Sequence, residues 1–162
     1  MTINEIQDEV IEEFQEYDDW MDKYQLLIDL GNDQEPLPEE YKKEQNLIDG
    51  CQSRVWLQCD AEDPLSQQAD SSPSMGSKLL TFRAESDALI VKGIVALLIR
   101  VLSGHTAKEI LDADLYFIEE IGLKDHLSPT RSNGLLAMVK QMKAYALAHS
   151  LRTETPSPAL PR

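Results

Sequence analysis

Apolar residues at intervals of three and four open the chain: Ile3, Ile6, Val10, Phe14 and Tyr17 fall on one face of an amphipathic helix. Thr2-Ile3-Asn4-Glu5 supplies a capping box, in which the Thr2 hydroxyl accepts from the first turn while Glu5 reaches back. Asp18 or Asp19 caps a second helix that carries Trp20, Tyr24, Leu27 and Ile28, and Gly31 is expected to end it. Two prolines make Asn32–Pro38 a loop, and a short helical turn around Glu39–Lys43 follows. The period then changes from helical to alternating. Asn46-Leu47-Ile48, Asp49-Gly50 and Ser53–Asp60 read as a strand, a turn and a strand, with Val55, Leu57 and Cys59 on one face and Arg54, Trp56 and Gln58 on the other. Ala61–Ser77 has little to bury and reads as a surface connection to a further strand at Lys78–Arg83.

Ser86 or Asp87 then starts the most apolar helix, Ala88–Leu102, interrupted only by Lys92, Gly93 and Arg100, which belongs at the centre of the fold. Thr106-Ala107-Lys108-Glu109 repeats the capping-box pattern. A short helix over Leu115–Ile121 stops at Gly122. Ser128-Pro129 suits a cap followed by a first-turn proline, and the last helix carries Leu135, Val139, Met142 and Ala146 in one stripe. Residues 1–150 therefore read as one α+β domain, a small antiparallel sheet packed against several helices. Residues 151–162, with Pro156, Pro158 and Pro161, read as a disordered tail.

Charge narrows the function. Of the 29 acidic and 15 basic side chains, residues 1–50 hold 16 and 3, a local net of −13 out of −14. Such a chain repels phosphate backbones and anionic membrane surfaces, so nucleic-acid and peripheral-membrane roles are disfavoured. The longest apolar run, Ile94–Ile99, is far shorter than the roughly 18 residues of a membrane helix. Two cysteines are too few for a disulfide scaffold, which suits a reducing cytoplasm.

Cys51 follows Gly50 in the turn, where a side chain can be presented to a partner. Its thiolate is the nucleophilic form, and Arg54 and Arg131 are candidate cations to favour it; the alternative is a small buried residue. Cys59, on the Val55/Leu57 face, reads as a core hydrophobe. His105, His126 and His149 lack ligand-like spacing, so no metal site is expected, and two thiols cannot bind an iron–sulfur cluster by themselves. His126 reads as a solvated or capping histidine. Ser132-Asn133-Gly134 weakens the start of the last helix, which implies close packing at Gly134 or an exposed Arg131 at a site.

Gly50-Cys51-Gln52-Ser53-Arg54-Val55-Trp56 resembles the signature of the SufE family of sulfur acceptors, and three further segments agree in order. They are Asp19-Trp20 and Lys23–Gly31 with Pro36-Leu37-Pro38, Ser86-Asp87-Ala88 with Ile90–Gly93, and Leu127–Leu135. The resemblance implies helices around a three-stranded antiparallel sheet. It implies a sulfur acceptor and activator of a pyridoxal-phosphate cysteine desulfurase, with sulfur carried as a persulfide on Cys51 and relayed toward iron–sulfur cluster assembly. The partners so implied are the desulfurase and a downstream Fe–S scaffold protein. Pyridoxal phosphate would belong to the desulfurase, and no cofactor to this chain, a transfer protein rather than a free-standing enzyme and expected to be a monomer. The resemblance also implies that Arg131 and Glu119 lie near the cysteine segment, with Arg131 stabilising a thiolate or persulfide anion. Two readings from the residues alone stay open beside it: a helical interaction module with an incidental cysteine, and a thiol peroxidase or redox sensor.

Overall fold

Both threonine capping boxes form as their local spacing requires. In the computed structural model, which describes residues 2–48, 54–62 and 78–154, the Glu5 N–H donates to the Thr2 hydroxyl at 3.1 Å and the Thr2 N–H to the Glu5 carboxylate at 2.9 Å, starting α1 (Ile3–Gln15). Asp19, not Asp18, caps α2 (Trp20–Asn32) by accepting from the Met21 N–H. The Thr106/Glu109 pair opens α4 (Ala107–Asp112). The Ser128 hydroxyl accepts from the Arg131 N–H where α6 (Pro129–Glu154) begins. Tyr17 falls beyond the end of α1 and is exposed.

The sheet is antiparallel and three-stranded, in the order β1-β2-β3. β1 (Val55–Glu62) pairs with β2 (Leu79–Ser86) from Val55 opposite Ser86 to Glu62 opposite Leu79, and β3 (His105–Thr106) pairs with Leu79 and Leu80. The strand expected at 46–48 is reduced to a single bridge between Leu47 and Trp56. A 3-10 turn at Glu44–Asn46 explains this: the Asn46 N–H donates to the Lys43 carbonyl and the Leu47 N–H to the Glu44 carbonyl, which leaves Ile48 to donate to Val55. The α+β class stands, but its third strand comes from the stretch before α4.

α3 (Leu89–Leu102) is the central helix, burying Val91, Ile94, Val95, Leu97, Leu98, Val101 and Leu102. The inner face of the sheet (Val55, Leu57, Leu80, Phe82, Ala84) and the α6 stripe (Leu135, Met138, Met142, Ala146) share its core. Neither Ser86 nor Asp87 occupies the cap position, which falls to Ala88; the Ser86 hydroxyl accepts from the Ala88 N–H and Asp87 turns elsewhere.

Gly31 does not end α2 but lies inside it, buried. A Cβ there would stand 2.8 Å from the Gly93 amide nitrogen, and one at Gly93 only 2.1 Å from the Leu27 carbonyl oxygen. The two glycines let α2 and α3 meet backbone to backbone. Gly122, with φ of +75°, follows α5 (Phe117–Glu120) as a stop signal should.

Polar bonds fasten α1. The wholly buried Gln7 carboxamide accepts from the Phe117 N–H at 3.1 Å and donates to the Asp114 carbonyl at 3.0 Å. The Tyr116 hydroxyl donates to Asp8 at 2.8 Å. Arg100 of α3 donates to both carboxylate oxygens of Glu13, a hydrogen bond that holds the Glu13 carboxyl below its usual range. At the other end of the chain, α6 runs past the expected boundary at 150 to Glu154. Residues 63–77 and 155–162, which hold the connection after β1 and most of the expected tail, lie outside the described residues. No helix among the described residues is long and apolar enough to cross a membrane.

Candidate functional site

Cys51 lies outside the described residues, which stop at Ile48 and resume at Arg54. Both flanks are tied down. The Ile48 N–H donates to the Val55 carbonyl at 2.9 Å, and Leu47 bridges Trp56. The Arg54 N–H donates to the Asp87 carboxylate at 3.2 Å, and the Asp87 N–H donates back to the Arg54 carbonyl at 3.3 Å. The chain thus leaves and re-enters at the Val55/Ser86 end of the sheet, beside the start of α3.

Burial raises the Tyr145 phenol above its usual range, with Cys59 a smaller cause. Met142 and Met138 line one apolar cavity with Leu57, Val55 and Ile48. Arg131 is exposed in the first turn, its N–H held by Ser128, and Ser132 donates to the Lys124 carbonyl at 3.3 Å.

Glu119 is exposed on α5, above buried Phe117 and Ile118. The ion pairs among the described residues do not join it to Arg131. Cys59 is half-buried and packs against the core, as expected. Gly134 is buried, in line with close packing, while Arg131 three residues earlier is exposed.

Two supports around the site escape a linear reading of residue patterns. The first is aromatic. The Trp20 ring stacks on His126 with centroids 4.1 Å apart, Tyr24 donates its hydroxyl to the His126 carbonyl, and His126 Nδ1 lies 3.0 Å from the Gly122 carbonyl. His126 is exposed, yet it locks the 122–126 turn that leads into α6. The second is a strap, residues 37–46, laid over the polar outer face of β1 and β2. Leu37 is buried, and its N–H donates to Glu85 at 2.7 Å. Burial pushes the Glu85 carboxyl up, but that N–H and Lys42 outweigh it and leave the group below its usual range. Lys42 also lies over the Trp56 ring and Arg83 over the Tyr41 ring. Asn46 anchors the end of the strap, donating to the Tyr41 carbonyl at 2.7 Å and to Gln58 at 3.2 Å. The local signal for the strap was Asn46 itself, a polar residue where a strand was expected to begin.

A sequence model described as SufE, an Fe-S metabolism associated domain, matches residues 8–146. An uncharacterised SufE-like protein of Rhizobium meliloti is 40% identical over 144 residues, covering 86% of this chain and 93% of its own. A SufE-like protein of Synechocystis is 37% identical over 142 residues, 88% of this chain and 80% of that one. The Arabidopsis thaliana SufE-like protein 1, chloroplastic/mitochondrial, is 32% identical over 92% of this chain, which spans only 37% of that longer protein. In fold, the chain is similar to the solution structure of a hypothetical protein from Thermus thermophilus, with a TM-score of 0.63 at 22% identity over 90% of this chain and 96% of that one.

Proposed function

The chain belongs to the SufE family and so to Fe–S metabolism, and from that premise we propose that it accepts sulfur from a pyridoxal-phosphate cysteine desulfurase on Cys51 and relays it toward cluster assembly. The Cys51 thiolate attacks the outer sulfur of a persulfide on the desulfurase. One S–S bond forms as another breaks, the desulfurase cysteine leaves as a thiolate, and Cys51 becomes the persulfide. No oxidant or reductant is consumed, and the rate depends on thiolate fraction, leaving-group acidity and access. The partner keeps its pyridoxal phosphate; this chain supplies the thiol and its setting. Arg131 is the cation suited to stabilise the anion before and after transfer, and Glu119 is assigned only a place beside the segment.

The observation that carries this reading is the matched segment from Gly50 to Trp56, whose flanks Ile48 and Arg54 are both hydrogen-bonded at one end of the sheet. A reducing compartment such as the cytoplasm fits a thiolate carrier, with a downstream scaffold as recipient. The test is to mix the protein with desulfurase and free cysteine and to read intact mass. Wild type gains the mass of one sulfur, Cys51→Ser gains none, and Cys59→Ser behaves as wild type. Full activation of the desulfurase by Cys51→Ser would point instead to a module that regulates by binding alone.

A further inference from the structure

The sheet is incomplete along one side of β2. The Asp87 N–H donates to the Arg54 carbonyl at 3.3 Å, just beyond the last ladder pair, and this fixes the alternation of the β1–β2 ladder. Odd-numbered residues of β2 turn their peptide groups toward β1, and even-numbered ones turn them away. β3 is two residues long and covers that outward edge at Leu79 and Leu80 alone. Beyond it the edge is met piecemeal. The Leu80 carbonyl accepts from the Gly104 N–H at 2.7 Å, the Phe82 N–H donates to the Ser103 hydroxyl at 2.9 Å, and the Ala84 carbonyl accepts from Gln34 Nε2 at 3.4 Å. Between the last two bonds stand the Phe82 carbonyl and the Ala84 N–H, which have no partner among the described residues.

A groove of about 440 Å³ opens beside this edge. Thr81, Phe82 and Arg83 line it from β2, and Leu30 of α2 with Ala96 and Ile99 of α3 give it an apolar wall. Asp33 and Glu35, both exposed, and Arg100 complete the lining. The two cations are occupied, Arg83 by Asp60 and Arg100 by Glu9 and Glu13. Asp33 and Glu35 enter no ion pair among the described residues, and the C-terminus of α2 at Asn32 adds a partial negative charge beside them.

A free acceptor followed two residues later by a free donor is what one residue of a parallel strand requires: its N–H meets the first and its carbonyl the second. An antiparallel strand would turn two more of its own peptide groups toward the Phe82 N–H and the Ala84 carbonyl, which are already bonded. We propose that this edge docks an extended, basic segment of a partner protein, added to β2 as a parallel strand with one residue opposite Arg83. The residues on either side of that one point their side chains inward, where Leu30, Ala96 and Ile99 suit apolar groups. A Lys or Arg of the segment meets the uncompensated Asp33 and Glu35. Docking also closes an edge that is otherwise open to unwanted pairing. The inference does not depend on the role of Cys51.

Random short peptides displayed on phage and selected against the full-length protein supply the probe. Enriched peptides are expected to combine alternating apolar residues with Lys or Arg and to bind with a Kd of about 100 μM or tighter. In the complex, NMR should show amide exchange at Ala84 slowed about tenfold or more, while Arg83, whose N–H already belongs to the β1 ladder, changes less than about twofold. Ala84→Pro removes the donor on the side away from β1 and should weaken binding about tenfold or more. If Ala84→Pro does not fold, the exposed pair Asp33→Lys with Glu35→Lys decides, with the same loss expected. A selection that yields no such peptide, peptides that leave Ala84 exchange unchanged, or binding indifferent to the charge reversal overturns the proposal. A spin label on the peptide N-terminus should broaden the signals of Leu80 rather than Ser86, and the reverse pattern overturns the parallel orientation.

Discussion

A methyl group added at Gly93 has no room. Its carbon would stand 2.1 Å from the Leu27 carbonyl oxygen, 2.6 Å from the Leu27 carbonyl carbon and 2.9 Å from the Leu27 Cβ, where ordinary contact begins at 3.4 Å. The two nearest atoms are backbone, so no rotamer relieves the clash, and α2 must move off α3 by roughly 1.3 Å, the difference between 3.4 and 2.1 Å. That movement loosens the packing around Leu27, which is fully buried. Overpacking of this kind costs ~3 kcal/mol, and the better helix propensity of alanine returns about 1 kcal/mol. Gly93→Ala should therefore destabilise the protein by ~2 kcal/mol, lowering Tm by about 4–8 °C for a chain of this size. Urea unfolding followed by far-ultraviolet circular dichroism measures it. Gly31→Ala, whose nearest contact is 2.8 Å, should cost less. An unchanged or raised midpoint for Gly93→Ala, the result that propensity alone would give, refutes the backbone contact between α2 and α3.

Arg131→Ala should slow sulfur transfer to Cys51 by about tenfold or more while leaving Tm unchanged, because the side chain is exposed and contributes nothing to the core; unchanged single-turnover rates would remove it from the site. The Glu13–Arg100 pair sets an acid dependence. The hydrogen bond from Arg100 lowers the Glu13 carboxyl in the folded state from its ordinary value of 4.5, so the pair's contribution is complete above that pH and is lost as pH falls through the folded value. With the Glu13 side chain 41% exposed, solvent screening limits that contribution to about 1 kcal/mol or less. Arg100→Gln should accordingly lower the urea midpoint more at pH 7 than at pH 3. An equal deficit at both pH values would contradict the assignment.

Features set by neighbours three or four residues apart were legible in the linear pattern. Thr2 with Glu5, Thr106 with Glu109 and Ser128 before Pro129 all cap where expected, because each bond is made within one turn. The apolar run of α3 identified the centre of the fold for a similar reason: a helix apolar nearly all round has no face to give to water. What could not be read depended on distant partners. Gly31 resembles a helix stop until Gly93, 62 residues away, is seen against it. Asp87 suits a helix cap, yet it spends its carboxylate on Arg54, 33 residues back. Asn46-Leu47-Ile48 has the composition of a strand, but the 3-10 turn removes the donors a ladder needs. Of the site, Arg131 was legible as an exposed cation at a weakened helix start. The strap and the Trp20–His126 stack were not, since both join segments that are far apart in the chain.

The attachment of α1 bears on the order in which the molecule is made. Gln7 has one local partner, Asn4, but it also bonds Asp114 and Phe117, over 100 residues downstream, and Asp8 meets Tyr116 across a similar separation. On the ribosome, at ~5–20 residues per second, several seconds pass between the synthesis of α1 and that of its partners. The capping box lets the helix form early, but its buried carboxamide must keep its water until the 114–117 turn emerges. Contacts of such long sequence separation come late in folding. α1 is thus made well before the partners that lock it in place.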